Sequence, residues 1–474
     1  MSVRKPTATI AIIGGGFTGG AVAWNLARQP SLAGARILVF EPRGKLGAGL
    51  AYDTANPVHR INVPATRMSL DPTQPEDFAE WLRQTGSVDS DPDSLSGDGN
   101  TYPRREAFGD YVWSRIQPFV DTGAIHPVRT RVARVEAAGQ GWKVIGEDAT
   151  EHRADCVVIA TSHPAPSAPR MLSSMLEGHP RFIADATRGD ALEPIRATDA
   201  VLVVGNGLTS ADVVASLMAR GHKGHITSIS RRGLRSRGHA ASPQPPFGDF
   251  VTRPITSARL LTRRVREAID QAALFGVSWH AIIDAARAQG GEIWSRLSIA
   301  ERRRLVRHLR PFWDVHRFRI APQVEQALED ATRQGQLDTL AASVAAVSYH
   351  GEKIRVALKQ ARSTDTSIRD FDAVVVTTGP AHGAVIDSQD YLAHLAKAGL
   401  ARLDPTRLGL ACDAQSRLIG SEGQVVTGIY VAGPLSRGTF GEMMGLPQVS
   451  EHAQAVAQEV AAFTAGVGAS VTAA

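Results

Sequence analysis

Apolar positions along this 474-residue chain follow two rhythms. Short aliphatic runs of strand length recur at Ile10 to Ile13, Arg36 to Phe40, Cys156 to Ile159, Ala200 to Val204, Ile226 to Ser230, Val374 to Val376 and Ile429 to Val431. Between them lie stretches with helical spacing: Ala21 to Ala27, Pro75 to Leu82, Arg105 to Phe119, Ala211 to Ala219 and Glu451 to Phe463. From about Ser257 to Leu340 helical spacing takes over, with Leu260, Leu261, Val265, Ala268 and Ile269 on one apolar face. Further strands are predicted near Arg131 to Glu136, Gly141 to Ile145, Ala342 to Tyr349 and Ile354 to Leu358. Residues 86–99, rich in Ser, Asp and Gly, read as an exposed loop, and 466–474 as a disordered tail. Strand alternating with helix predicts an α/β fold.

The first strand runs straight into Gly14-x-Gly16-x-x-Gly19, and a helix follows. Gly14 permits the tight turn, Gly16 lets backbone approach a pyrophosphate, and Gly19 lets helix and strand pack closely. Phe17 and Thr18 open the helix, whose free N–H groups and positive dipole end suit a phosphate. Glu41 ends the next strand, 27 positions beyond Gly14, where a carboxylate accepts from ribose hydroxyls. Strand before, helix after and acid at the next strand end make this fingerprint specific. Gly47 and Gly49 then allow further close backbone approach to a ligand.

A second unit repeats the plan. The strand at Ala200 to Val204 leads into Gly205-x-Gly207-x-x-Ser210, a helix, and a strand ending in Arg231-Arg232. Arg231 lies 26 positions beyond Gly205, so the charge at this topological position is inverted relative to Glu41. An acid repels a 2′-phosphate and an arginine pairs with it, so the second unit is expected to prefer NADPH. A solvated basic turn is the plainer alternative for Arg231, Arg232, Arg235 and Arg237. Two segments share an acid, an aliphatic run and a Thr-containing end: Asp155 to Thr161 and Asp372 to Gly379. The late Gly428 to Pro434 stretch ends in Gly433-Pro434, where many flavoproteins carry Gly-Asp.

Net charge is +5, with 43% hydrophobic and 21% charged residues. That is ordinary for a globular protein, and the modest basic excess suits anionic cofactors without any nucleic-acid module. No apolar run is long enough to span a membrane. Met1 to Pro6 leads directly into the first strand, so a cytoplasmic protein is expected. The two cysteines, Cys156 and Cys412, suit neither a disulfide framework nor a metal site. Cys156, inside a strand, reads as a small buried hydrophobe. The segment Trp313 to Arg319 packs cations, imidazoles and aromatics together, as a solvated basic helix face or as part of an anion site.

These features together resemble the bacterial FAD/NAD(P)-binding oxidoreductases related to flavin-dependent N-hydroxylating monooxygenases. The match rests on Gly14 to Gly19 with Glu41, Gly47 to Tyr52, Asn62 to Ala65, Met68-Ser69, Phe78 to Leu82, Gly205 to Ser210, Trp313 to Pro322 and Gly433 to Gly438. The resemblance implies an α/β fold of two nested Rossmann-like dinucleotide-binding domains, that of a two-dinucleotide-binding flavoprotein, with a helical insertion. The expected domains are 1–193 and 346–474 for FAD and 194–345 for NAD(P)H, the insertion occupying about 250–340. It further implies FAD and NADPH as cofactors, with Asn62, Val63, Pro64 and Met68 near the isoalloxazine. Thr161, Gly379, Gly433 and Pro434 are expected in the cofactor contacts.

In this class the flavin does the chemistry, oxygen passing from a C4a-hydroperoxide to the substrate. The chain is therefore expected to be a monooxygenase acting on a small amine-type metabolite with O₂, its side chains positioning and shielding. No individual catalytic residue stands out. The rivals are an FAD dehydrogenase or oxidase and a flavin-bound regulatory protein. A disulfide reductase lacks its cysteine pair, and the F-x-G-x-x-x-H stretch of Baeyer–Villiger enzymes is not found.

Overall fold

The computed structural model describes residues 8–379 and 382–470. Among the described residues, strands form a six-stranded sheet, a seven-stranded sheet and a three-stranded meander. In the six-stranded sheet the central strand Thr9–Ile13 pairs in parallel with Arg36–Phe40 on one side and Cys156–Ile159 on the other. Ile125–Val128 extends one edge, and Val425–Val431 with Arg417–Ile419 extends the other. All three central strands are buried throughout apart from their first residues Thr9 and Arg36, as continuous aliphatic runs in a parallel sheet require. Helix Phe17–Ala27 crosses one face and packs against the C-terminal helix Gln448–Ser470.

The seven-stranded sheet repeats that core. Val201–Val204 lies between Ile226–Ser230 and Ala373–Val376, all parallel. Strand Leu337–His350 changes partner along its length. Its first five residues pair in parallel with Ile226–Ser230, and the remainder runs antiparallel to Lys353–Gln360. Strand Thr366–Phe371 completes that edge. The helical region, from Ala258–Ala273 to Pro322–Arg333, is inserted between Ile226–Ser230 and Leu337–His350. It builds a small core of its own around Phe250, Ala272, Ile282 and Leu297.

The two sheets correct several expectations. Strands from 353 to 376 belong to the second sheet, so that unit continues past the boundary expected at 345. The aliphatic run Ala373–Val376 needs a strand on each edge, and Val201–Val204 and Phe182–Ile183 supply them, both in parallel. Residues 86–99 are not simply an exposed loop. Ser94 is fully buried, and Asp91 receives a bidentate Arg60 at 2.8 and 2.9 Å. The C-terminal helix continues to Ser470 through part of the stretch expected to be disordered. The edge strands Ile125–Val128, Glu151–Ala154 and Thr366–Phe371 carry polar or mixed residues and left no periodic trace. Met1 to Pro6 and Pro380 fall outside the described residues.

The two units meet over a continuous apolar cluster that includes Ile10, Val22 and Tyr111 of the first and Val203, Val214 and Leu328 of the second. Polar contacts cross the same seam: Arg105 pairs with Asp212 at 2.9 Å, and Asn56 donates to Ser216 Oγ at 3.0 Å.

Candidate functional site

The first glycine turn is built as its spacing requires. Gly14 takes φ +98°, and a Cβ there would meet the Ala160 carbonyl oxygen at 2.9 Å. A Cβ on Gly19 would lie 1.8 Å from the Gly14 oxygen, so the third glycine is what lets helix and strand close. Gly16 differs. Its φ of −68° suits any residue, and a Cβ would meet nothing nearer than Gly49 Cα at 3.5 Å. Crowding at the outer glycines with open space at the middle one is the shape of a cradle for a pyrophosphate. Phe17 packs its ring against Tyr52 and Phe108, leaving its backbone as the part available to a ligand.

Glu41 is buried and held in place: Gly15 N–H donates to it at 3.1 Å, and Arg43 N–H donates at 3.1 Å. The Arg43 guanidinium also pairs with Oε1 at 3.4 Å, so Oε2, which accepts only from Gly15, keeps a lone pair for a ribose hydroxyl. Gly47 and Gly49 are closely packed. Gly49 abuts Gly16, and a Cβ on Gly47 would meet Val112 Cγ1 at 2.3 Å, so both fit chain to chain. Asn62 and Val63 are half-buried at the surface of the first unit, whereas Pro64 and Met68 are buried, Met68 in the core. His239 binds the Asn62 carbonyl at 3.2 Å, tying this loop to the second unit.

The second turn follows the same plan. Gly205 takes φ +126° against the Thr377 carbonyl, and a Cβ on Gly207 would meet nothing within 4 Å. Ser210 replaces the close-packing glycine and joins a polar chain, with its Oγ 3.2 Å from Ser228 Oγ, which donates to Gly205 O at 3.3 Å and to Asn206. A narrow crevice lined by Asn206, Gly207, Ser228 and Arg235 opens beside it. Arg231 and Arg232 are exposed at the strand end and make no ion pair among the described residues; Arg232 lies over the Phe312 ring. Gly379 follows Thr377, so it belongs to this second turn and not to the first unit. Thr161 takes the matching place beside Gly14 and shares a 2.8 Å hydrogen bond with Tyr391. The paired acids are explained in the same way. Asp155 accepts from Thr9 N–H at 2.7 Å and Asp372 from Ala200 N–H at 2.8 Å, each fixing the start of its glycine strand.

The late Gly433-Pro434 segment closes over the first turn. Gly433 has φ +70°, and a Cβ would lie 2.5 Å from Thr18 Oγ1. Pro434 opens a 3-10 turn, a position where its missing N–H is no loss. His452, which the sequence did not single out, anchors this segment. Its Nδ1 accepts from Gly433 N–H at 3.0 Å, and its Nε2 faces Ser416 Oγ at 3.0 Å. Burial pulls the His452 imidazole down to about 4. A lowered histidine binds its proton in the unfolded chain first, so stability is expected to fall as pH drops from 6.5 toward 4. Full loss amounts to roughly 3 kcal/mol for this group. Urea midpoints measured down this range should show the decline, and His452→Gln should make it shallower, the lowered His163 and His239 still contributing.

Beside Gly433 the helical region meets the C-terminal segment in a buried charged cluster. Arg317 Nε donates to Glu442 at 2.6 Å, both side chains being less than a tenth exposed. Burial works to raise the Glu442 carboxyl, and the Arg317, Arg287 and Arg437 guanidiniums outweigh it and hold it low. Asp314 accepts from Arg310 at 3.2 Å, yet burial dominates and raises its carboxyl. His163, two residues past Thr161, is pulled down to about 4 by burial and then by Arg437 and Arg310. The segment 313–319 is therefore not a solvated basic face: Arg317 and Arg319 are buried, Arg319 pairing with Asp284 at 2.9 Å. Arg317→Met removes the closest hydrogen-bond partner of buried Glu442 while Arg287 and Arg437 stay beside it, and is expected to destabilise by about 1–3 kcal/mol. Combining it with Glu442→Leu should restore most of the melting temperature.

Cys156 and Cys412 are both buried in different core clusters, and burial pushes both thiols up, Cys412 to about 12. Neither is poised for redox chemistry. Among the described residues no group of His, Cys, Asp or Glu could hold a metal, and no helix is long and apolar enough to cross a membrane.

Residues 11–164 match a family model described as FAD-NAD(P)-binding. The reduced form of ornithine hydroxylase from Pseudomonas aeruginosa superposes with TM-score 0.66 at 18% identity, covering 97% of this chain and 99% of that one. L-lysine 6-monooxygenase from Pseudomonas syringae gives TM-score 0.61 at 18% identity, covering 98% of this chain and 100% of the other. Salicylate hydroxylase from Pseudomonas putida is 22% identical over 242 residues, 49% of this chain; the match spans about half of that relative, 53% of its length. At these identities the likeness is one of fold. The chain has the architecture of the two-dinucleotide-binding flavoproteins.

Proposed function

We propose that this chain is an FAD-dependent, NADPH-using monooxygenase that hydroxylates a small amine-type metabolite. The observation that carries this reading is the pair of glycine cradles with opposite charge at the matching strand ends. Glu41 is buried and oriented by Gly15 and Arg43, whereas Arg231 and Arg232 stand exposed and without an ion pair among the described residues. A ribose with free hydroxyls suits the first and a 2′-phosphate suits the second. The fold match to ornithine and lysine hydroxylases supports the same reading, as does the family model over the first cradle.

FAD, when bound, supplies hydride acceptance and oxygen activation. The chain's residues bind, orient and exclude water. Gly14, Gly16, Phe17, Thr18 and Gly19 offer backbone to the pyrophosphate, and Glu41 takes the ribose. Gly433 and Pro434 cover the turn from above, fixed by His452. Gly205, Gly207 and Ser210 form the second cradle, with Arg231 and Arg232 on the phosphate. Loop 62–68, tied to His239, screens the space between the units.

The test is a flavin-loaded preparation given NADPH and air with a panel of small amines. Amine-stimulated NADPH oxidation with matching oxygen uptake and a hydroxylated product supports the reading. Reduction by substrate without NADPH would instead make it a dehydrogenase.

A further inference from the structure

Six charged side chains from the helical region and the C-terminal segment meet beside the first cradle: Arg287, Arg310, Asp314, Arg317, Arg437 and Glu442. Four guanidiniums face two carboxylates, an excess of two positive charges. Arg317 is matched by Glu442 and Arg310 by Asp314. Arg437 and Arg287 are left over. The Arg437 side chain is 6% exposed, donates Nε to Gly441 O at 3.3 Å, and reaches Asp314 with Nη2 only at 4.0 Å. Its Nη1 is buried with no hydrogen-bond partner among the described residues. Arg287 is 8% exposed; it uses Nη2 on Leu446 O and Gln448, and its Nε is buried without a partner among the described residues. Buried cations with unmet donors are strongly unfavourable unless an anion completes them.

We propose that this cluster receives the carboxylate of a small anionic substrate, with Arg437 as the principal contact. The inference rests on the monooxygenase reading above and adds the substrate's charge to it. Position supports it. Arg437 follows Gly433, which lies on Thr18, by four residues, and His163 at the end of the Cys156–Ile159 strand feels both Arg437 and Arg310. The cluster thus borders the carboxyl ends of the parallel strands, where ligands of such sheets bind. The cofactors' own anions already have places: the pyrophosphates at the two glycine turns and the 2′-phosphate at Arg231 and Arg232. A guanidinium fork suits a carboxylate in particular, because two parallel N–H groups match its two oxygens.

Calorimetric titration of the flavin-loaded protein with succinate, butyrate and butylamine tests this without turnover. Succinate and butyrate are expected to bind saturably, and butylamine, which lacks a carboxylate, at least about tenfold more weakly. Arg437→Met should weaken succinate at least about tenfold with flavin content unchanged, and Arg437→Lys should keep part of the affinity. Should Arg437→Met fail to fold, Arg287→Gln is expected to weaken succinate in the same direction. Absence of saturable succinate binding to the unaltered protein would overturn the proposal. So would an Arg437→Met protein that sheds flavin while its succinate affinity stands, since the arginine would then serve the cofactor. Carboxylate binding with no NADPH-driven oxygen uptake would instead count against the monooxygenase reading alone.

Discussion

Gly16→Val is expected to yield a folded protein without yellow colour. The backbone there is extended, which a β-branched residue adopts freely, and the polypeptide leaves room for a Cβ. The side chain would fill the space through which a pyrophosphate meets the helix terminus. Flavin affinity should fall on the order of a hundredfold, about 2.8 kcal/mol, with the melting temperature of the flavin-free protein little changed. Gly19→Ala makes the contrast. Its methyl would sit 1.8 Å from the Gly14 carbonyl, so the turn itself must shift. That variant should lose flavin and also about 1–3 kcal/mol of stability. Visible absorbance per polypeptide and a urea curve separate the two. If Gly16→Val kept its colour, the first cradle would not be where FAD binds.

The second large effect concerns the donor. Removing both Arg231 and Arg232 should raise the KM for NADPH at least about tenfold, near 1.4 kcal/mol, and leave that for NADH within about twofold. The two side chains are exposed, so screening by salt keeps the figure below that of a buried pair. Equal weakening toward both nucleotides would assign the arginines to general attraction and remove the 2′-phosphate contact.

Much of this was legible in the chain because the parallel strands are fully buried. They must be aliphatic along their whole length, and the turns that follow them must be glycine where backbone meets backbone. The acids at 155 and 372 were visible as a repeated pattern, although their work in fixing Thr9 and Ala200 appears only in three dimensions. Edge strands were not legible, since one face in water tolerates residues such as His126 and Pro127. Nor was the unit boundary: an aliphatic run such as Ala373–Val376 fits either sheet, and only its register with Val201–Val204 decides. Gly47 and Gly49 show a further limit, because close approach to a ligand and close approach to another helix ask for the same residue. Arg437, Glu442 and His452 were missed because each functions through a partner over a hundred residues away or around a turn.

The shared apolar seam has a mechanical consequence. Swinging one nucleotide unit away from the other would open the apolar cluster they share and break the Arg105–Asp212 pair and the Asn56–Ser216 hydrogen bond. These contacts hold the two units together as one packed body. On the function proposed above, the reductant would have to come to a fixed acceptor instead of being carried there by a rotating half.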